Sequence, residues 1–316
     1  MSEGPQPVAG GSIKSKPAHE LYAGRFGGNY VRSLVAQDMI GVHCRDGNNV
    51  YLVEQDGEEN VLKFCDDDND SVCAEIDILY ILRDCPHIVR LLNIYDVGEL
   101  LCSETKLPNG YTMEFAKCTL EDHLADATPV RAAELRSWFV QLFGALEYCN
   151  NREVVHGDIK PRNILMYILP RSVPETLCAR LGDFDVASGP GDEFAGKYTV
   201  GTEGYRAPEV YYYKHLEVPG WGPPSDVWSM GVVLYRCTNH GVYPFAKPHS
   251  TGTSIICRVG QPACYRKIMG MPRAFPVRAY YPRPLNTFHE VINGCLDPDP
   301  LTRHTAAELV VRLDPH

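Results

Sequence analysis

The chain reads as an α+β fold of two lobes, a small β-rich N-lobe carrying one helix and a larger, mainly helical C-lobe. Three observations carry this reading. Two short runs of β-branched and aromatic residues, Val50-Tyr51-Leu52-Val53 and Val61-Leu62-Lys63-Phe64, flank the turn dipeptide Asp56-Gly57 and predict a hairpin. Val72, Ile76, Leu79 and Leu82 fall at helical spacing and give one apolar face. Beyond Glu114 the pattern changes to helical stripes, among them Ser225 to Tyr235, which is apolar nearly all round and predicts a buried helix.

Residues 1 to about 30 are rich in Gly, Pro, Ser and Ala, lack hydrophobic periodicity, and read as a flexible tail. Within it Lys14-Ser15-Lys16-Pro17 is either solvated tail or a localisation or docking element. The N-lobe follows over about 31–114. Its helix is expected to end at Cys85-Pro86, with Ile88-Val89-Arg90-Leu91-Leu92 opening another strand. The C-lobe spans about 117–313. Thr128-Pro129 marks a helix start, and Leu135, Trp138, Phe139, Leu142 and Leu146 form a stripe suited to core packing. Leu169-Pro170-Arg171-Ser172-Val173-Pro174 reads as a hairpin insertion at the surface.

Composition excludes several function classes. The 316 residues carry a formal charge of -10, so nothing suggests nucleic acid or an anionic membrane surface as a partner. Twelve cysteines are present, yet the closest two, Cys257 and Cys264, stand seven positions apart, and no C-x-x-C knuckle exists for zinc. Scattered thiols such as Cys149 are expected to be buried small hydrophobes. No apolar run of roughly 18 residues and no signal-peptide plan is visible. A reducing intracellular setting, cytoplasmic and/or nuclear, is expected.

The chemistry-bearing segments are His156-Gly157-Asp158-Ile159-Lys160-Pro161-Arg162-Asn163-Ile164-Leu165, then Asp183-Phe184-Asp185, then Ala207-Pro208-Glu209. In this order and spacing they resemble the catalytic loop, the metal-binding triplet and the activation-segment anchor of the eukaryotic-type protein kinase superfamily. The resemblance covers about residues 31 to 313 and implies the bilobal protein-kinase fold. Asp299 to Leu309 resembles the last block of that domain, so no second domain is expected. A fainter likeness, to kinases encoded by large DNA viruses, rests on the compact architecture and the divergent nucleotide loop.

The resemblance implies ATP and Mg2+ as cofactors and protein substrates as partners, and it names no regulatory partner. Phosphoryl transfer asks a protein mainly to position both substrates and neutralise charge. By resemblance Lys63 holds the α- and β-phosphates and Glu75 holds that lysine. Asp158 takes or orients the proton of the incoming hydroxyl, Lys160 stabilises the transferring phosphate, and Thr202 bridges the two. Asn163 and Asp183 are the magnesium ligands, as hard oxygen donors should be. Met113 is the gatekeeper, and backbone groups of Glu114 and Ala116 meet adenine. Ile40, Gly41, Gly47 and Val50 stand where the nucleotide-covering loop is expected. Asp226 supports the catalytic-loop backbone, and Glu209 pairs with Arg303. Lys160-Pro161 and Thr202 resemble serine/threonine rather than tyrosine kinases.

Four departures from the family pattern shape the expectations. The loop around Gly47 is poor in glycine, which lets backbone amides approach phosphates. The metal triplet ends in Asp185, a second carboxylate that either joins the ion or repels phosphate. Thr119 and Arg162 stand where basophilic kinases carry acids, so strong selection for upstream arginine is not expected. Gly157 replaces the arginine that pairs with a phosphate on the activation segment, so activity without phosphorylation of Tyr198 or Thr199 is expected, unless Lys197 or Arg180 substitutes. The leading reading is an ATP- and magnesium-dependent serine/threonine protein kinase. The alternatives are a pseudokinase scaffold with weak or no transfer and a small-molecule kinase on the same fold.

Overall fold

The protein is described by a computed structural model covering residues 31–33, 50–55, 57–64, 74–96, 110–126, 130–170, 172, 176–192, 199–212, 221–244 and 286–314. The tail at 1–30, with Lys14 to Pro17, and the expectations for Ile40, Gly41, Gly47, Thr128-Pro129, Lys197 and Tyr198 lie outside the described residues. The chain divides into two compact units, residues 1–73 with 92–113 and residues 74–91 with 114–316.

A five-stranded sheet characterises the first unit. Its strands are β1 (Val31–Ser33), β2 (Val50–Gln55), β3 (Glu58–Phe64), β4 (Leu91–Asp96) and β5 (Gly110–Glu114), in the order β1-β4-β5-β3-β2. β2 and β3 pair antiparallel with Gln55 opposite Glu58, so Asp56-Gly57 is a two-residue connection, as the turn chemistry predicts. The same register sets Val50 opposite Lys63. Val53, Leu62, Ile94 and Tyr111 are fully buried and form this unit's core.

The second unit is mainly helical. Its helices are α1 (Ala74–Ile81), α2 (Leu120–Ala125), α3 (Ala132–Asn150), α4 (Pro208–Tyr212), α5 (Pro223–Thr238), α6 (Asn286–Cys295) and α7 (Ala306–Leu313). The expected apolar stripe of α3 is its buried face, with Leu135, Phe139 and Leu142 at zero exposure. That helix packs on α7, on α5 and on a small antiparallel sheet. The sheet orders β6 (Cys118–Thr119), β7 (Ile164–Ile168) and β8 (Leu177–Leu181). Every residue from Ser225 to Tyr235 is buried, so α5 is the interior helix its uniform hydrophobicity requires.

Helix α3 begins at Ala132, where the Glu134 carboxylate accepts from the Arg131 amide at 3.1 Å and closes the first turn. One boundary differs from expectation for a physical reason, that of the strand at Ile88. The strand expected from Ile88 begins only at Leu91, because the preceding residues bond to the end of β8. Val89 N donates to Leu181 O at 2.7 Å and Leu181 N to His87 O at 2.9 Å. The expected insertion does connect a hairpin: β7 and β8 pair antiparallel, Leu169 N donates to Thr176 O, and Leu169 is exposed. Among the described residues, no helix is long and apolar enough to cross a membrane. Cys149 is buried and free, as expected.

Candidate active site

The site is built upward from a buried carboxylate near the start of α5. Asp226 accepts from His156 N at 2.7 Å and from Gly157 N at 2.9 Å, which fixes the backbone just before Asp158. Burial pushes its carboxyl up, and those amide bonds oppose the rise without cancelling it. His156, wholly buried, is a hub that sequence reasoning left without a role. Its Nδ1 accepts from Asp158 N at 3.3 Å while its Nε2 lies 3.0 Å from Gly182 O, an arrangement suited to the neutral ring protonated at Nε2. The ring also packs on Phe184 with centroids 4.5 Å apart. One imidazole therefore ties the loop bearing Asp158 to the segment bearing Asp183. The only sequence signal was its place two residues before an aspartate, inside the motif.

Pro161 opens a short 3-10 turn over Pro161–Asn163, its fixed φ suiting the first helical position. The turn swings Asn163 back, so that Asn163 Nδ2 donates to Asp158 O at 3.0 Å. Asn163 O in turn accepts from Gly182 N at 2.9 Å. Because Ile164 and Leu181 stand opposite each other in the β7–β8 hairpin, Asn163 and Asp183 emerge together at its base.

Lys160, Asp158 and Thr202 meet in the geometry the motif implied. Lys160 Nζ lies 2.6 Å from Asp158 Oδ2 and 3.0 Å from Thr202 Oγ1. Burial raises the Asp158 carboxyl, but the Lys160 ammonium and the Thr202 hydroxyl outweigh it, and the net position is below the ordinary aspartate value. Asp158 Oδ1 is buried and has no hydrogen-bond partner. An orphaned acceptor on an ionised side chain is what an incoming hydroxyl would satisfy.

Glu75, at the start of α1, accepts from Phe184 N at 2.9 Å. Its carboxylate joins those of Asp183 and Asp185, with ligand oxygens all within 4.8 Å of one another. Asp185 thus stands in the same carboxylate cluster as Asp183. Asp183 takes φ +64, a left-handed conformation that costs energy for a non-glycine residue and is retained where surroundings impose it. Hard carboxylate oxygens, with Asn163 adjoining at the base of the hairpin, are a donor set that fits Mg2+.

The segment after residue 199 is anchored without a guanidinium at position 157. Gly157 takes φ +79, and a Cβ there would lie 3.2 Å from the Trp221 ring and 3.3 Å from Val186 O. Gly201 takes φ +83, and a Cβ there would lie 2.6 Å from Gly157 O, so the two backbones touch only because residue 201 is glycine. Arg206 Nε donates to Val200 O and Gly201 O at 2.9 and 2.7 Å. Farther on, Glu209 and Arg303 form a bidentate pair at 2.6 and 3.0 Å, both buried. Arg180, considered as a substitute for the missing arginine, is committed elsewhere: its guanidinium pairs with Glu114 and lies over the Tyr167 ring.

The remaining expected residues fall as follows. Met113 is buried at the end of β5, and Glu114 and Ala116 are half-buried just beyond it. Val50 and Lys63 are half-buried on β2 and β3 of the first unit. Thr119 caps α2, its Oγ1 accepting from Asp122 N at 3.1 Å, and Arg162 is exposed on the 3-10 turn.

Comparison with known proteins agrees with this geometry. The family model for the protein kinase domain matches residues 50–312. Among curated proteins the chain is 34% identical over 163 residues to sucrose non-fermenting protein kinase 1 of Fusarium virguliforme, covering 51% of this chain and 20% of that one. It is 34% identical over 161 residues to the carbon catabolite-derepressing protein kinase of Saccharomyces cerevisiae, covering 51% and 22%. With serine/threonine-protein kinase SIK2 of Gallus gallus it shares 30% identity over 181 residues, covering 57% and 20%. The match thus spans about a fifth of each relative's length. With the family model covering most of its length around the Asp158, Lys160 and Asp183 site, the chain belongs to the protein kinase domain family.

Proposed function

We propose that this chain is a serine/threonine protein kinase that transfers the γ-phosphoryl group of ATP to serine and threonine hydroxyls of protein substrates. The observation that carries the proposal is the Lys160 ammonium bridging Asp158 Oδ2 and Thr202 Oγ1, while Asp158 Oδ1 stays buried and unpartnered. In this reading the substrate hydroxyl donates to Asp158 Oδ1, which orients its oxygen toward the γ-phosphorus and receives the proton as the oxygen–phosphorus bond forms and ADP departs. Lys160 offsets charge on the transferring group. A magnesium ion held by Asp183 and Asn163, with the Asp185 and Glu75 carboxylates alongside, would neutralise phosphate charge when bound.

The nucleotide is assigned to Lys63 for its phosphates, with Glu75 as the partner of that lysine, to Met113 and the backbone of Glu114 and Ala116 for adenine, and to Val50 with Ile40, Gly41 and Gly47 as cover. The kinase domain is assigned to about residues 31–313, and the free cysteines among the described residues suit a reducing intracellular compartment. Thr119 and Arg162 favour substrates lacking upstream arginine. A scaffold without transfer would need none of the charges that Asp158, Lys160, Asn163 and Asp183 bring together.

The test is incubation with labelled ATP, magnesium and degenerate peptides carrying serine, threonine or tyrosine as the acceptor. Label is expected on serine and threonine and lost on chelation; label confined to tyrosine, or absent throughout, overturns the proposal.

A further inference from the structure

The β7–β8 hairpin carries more than the base that presents Asn163 and Asp183. Tyr167 on β7, opposite Cys178, and Arg180 on β8, opposite Leu165, both turn to Glu114, the first residue after the chain leaves β5's buried run. Tyr167 donates its hydroxyl to the main-chain carbonyl of Glu114 at 3.1 Å. Arg180 pairs with the Glu114 carboxylate and lies with its guanidinium 4.5 Å from the Tyr167 ring centroid. Arg90 approaches the same carboxylate at 3.8 Å from a largely exposed position and adds little. Burial pushes the Tyr167 hydroxyl up against the opposing Arg180 charge, so it remains protonated and able to donate.

Glu114 is thus held at both ends, its carbonyl by a phenol and its side chain by a charge-assisted pair. We propose that Tyr167 and Arg180 are positioning residues for the nucleotide base, which fix the direction of the Glu114 carbonyl and so set both ATP affinity and the choice of adenine over guanine. The inference rests on the assignment of Glu114 backbone to the adenine site. A carbonyl oxygen has two lone pairs, and the one Tyr167 leaves open accepts the exocyclic amine of adenine. Guanine presents a carbonyl oxygen at that position, so a carbonyl that cannot turn away repels it. The clamp and the metal ligands Asn163 and Asp183 share one hairpin, which ties base to phosphates through a single short element.

The test is steady-state kinetics of Tyr167→Phe, Arg180→Met and Arg180→Lys against wild type, with ATP and GTP as donors and a thermal melt of each protein. Tyr167→Phe removes one oxygen and is expected to raise KM for ATP about three- to tenfold. Its kcat is expected within about twofold of wild type and peptide KM unchanged, with the ATP-over-GTP preference falling alongside. Arg180→Met is expected to act more strongly and Arg180→Lys to recover part of the loss. If Arg180→Met does not fold, Tyr167→Phe decides alone. Wild-type KM for ATP and wild-type nucleotide preference in Tyr167→Phe, in a protein that transfers phosphate, would overturn the clamp while leaving the kinase assignment standing. A wild type that neither binds a fluorescent ATP analogue nor transfers phosphate would overturn both.

Discussion

Asp158 owes its low-lying carboxyl to a balance in which burial raises it and Lys160 and Thr202 more than compensate. Its folded value is depressed, so its contribution to stability is present above the unfolded aspartate value and is lost as pH falls through the folded one. Removing the ammonium in Lys160→Met leaves burial less opposed, and the carboxyl must then titrate higher. The acid limb of kcat/KM is expected to move toward neutral pH in Lys160→Met, with kcat lowered on the order of 10² to 10³. A pH–rate profile from about pH 5 to 8 checks this, and a limb that stays at the wild-type position contradicts the role given to Lys160. The residues of this contact were legible in the sequence because their types and order define the chemistry. His156 and Tyr167 were not, since both act through bonds to main-chain atoms that only the folded backbone brings near.

The segment from Val200 to Glu209 depends at its start on a close glycine contact. Gly201→Ala would set a Cβ 2.6 Å from Gly157 O at φ +83, so the segment must retreat and carry Thr202 away from Lys160. A fall in kcat of at least about tenfold is expected, some 1.4 kcal/mol in the barrier, and unchanged turnover in Gly201→Ala would refute the contact. Since residue 157 is glycine with Trp221 and Val200 beside it, and Arg180 is engaged with Glu114, neither position 157 nor Arg180 offers a guanidinium to a phosphate on Thr199 or Tyr198. Phosphatase treatment is therefore expected to leave activity within about twofold of untreated protein; a loss of tenfold or more, again about 1.4 kcal/mol, would show phosphate-dependent ordering. Helices α3 and α5 could be read from periodicity because burial imposes it along their whole length. The strand at Ile88 could not, because His87 and Val89 bond to Leu181, nearly a hundred residues away in sequence, and no local pattern records that partner. The clustering of Asp185 with Glu75 was illegible for the same reason.

At the scale of the molecule, the Glu209–Arg303 pair joins the segment after the catalytic loop to the turn before α7, with both side chains almost wholly buried. Breaking it from one side strands a charge: Arg303→Met is expected to cost about 3 kcal/mol or more, a fall in Tm on the order of 10 °C. Replacing both partners with apolar residues, as in Glu209→Leu/Arg303→Met, is expected to cost less than the single change, and a thermal melt showing the two losses equal and additive would contradict that. Asp226 under the loop and the Glu209–Arg303 pair behind the anchor hold the two segments that flank Asp158 and Thr202. The most direct measurement is transfer of labelled γ-phosphate from ATP to a serine- and threonine-containing protein in the presence of magnesium, by wild type and by Asp158→Asn folded to the same Tm. Wild type is expected to transfer label and Asp158→Asn to fall by a factor on the order of 10² or more; equal labelling by both, or none by the wild type, would contradict the assignment of Asp158 as the group that receives the proton.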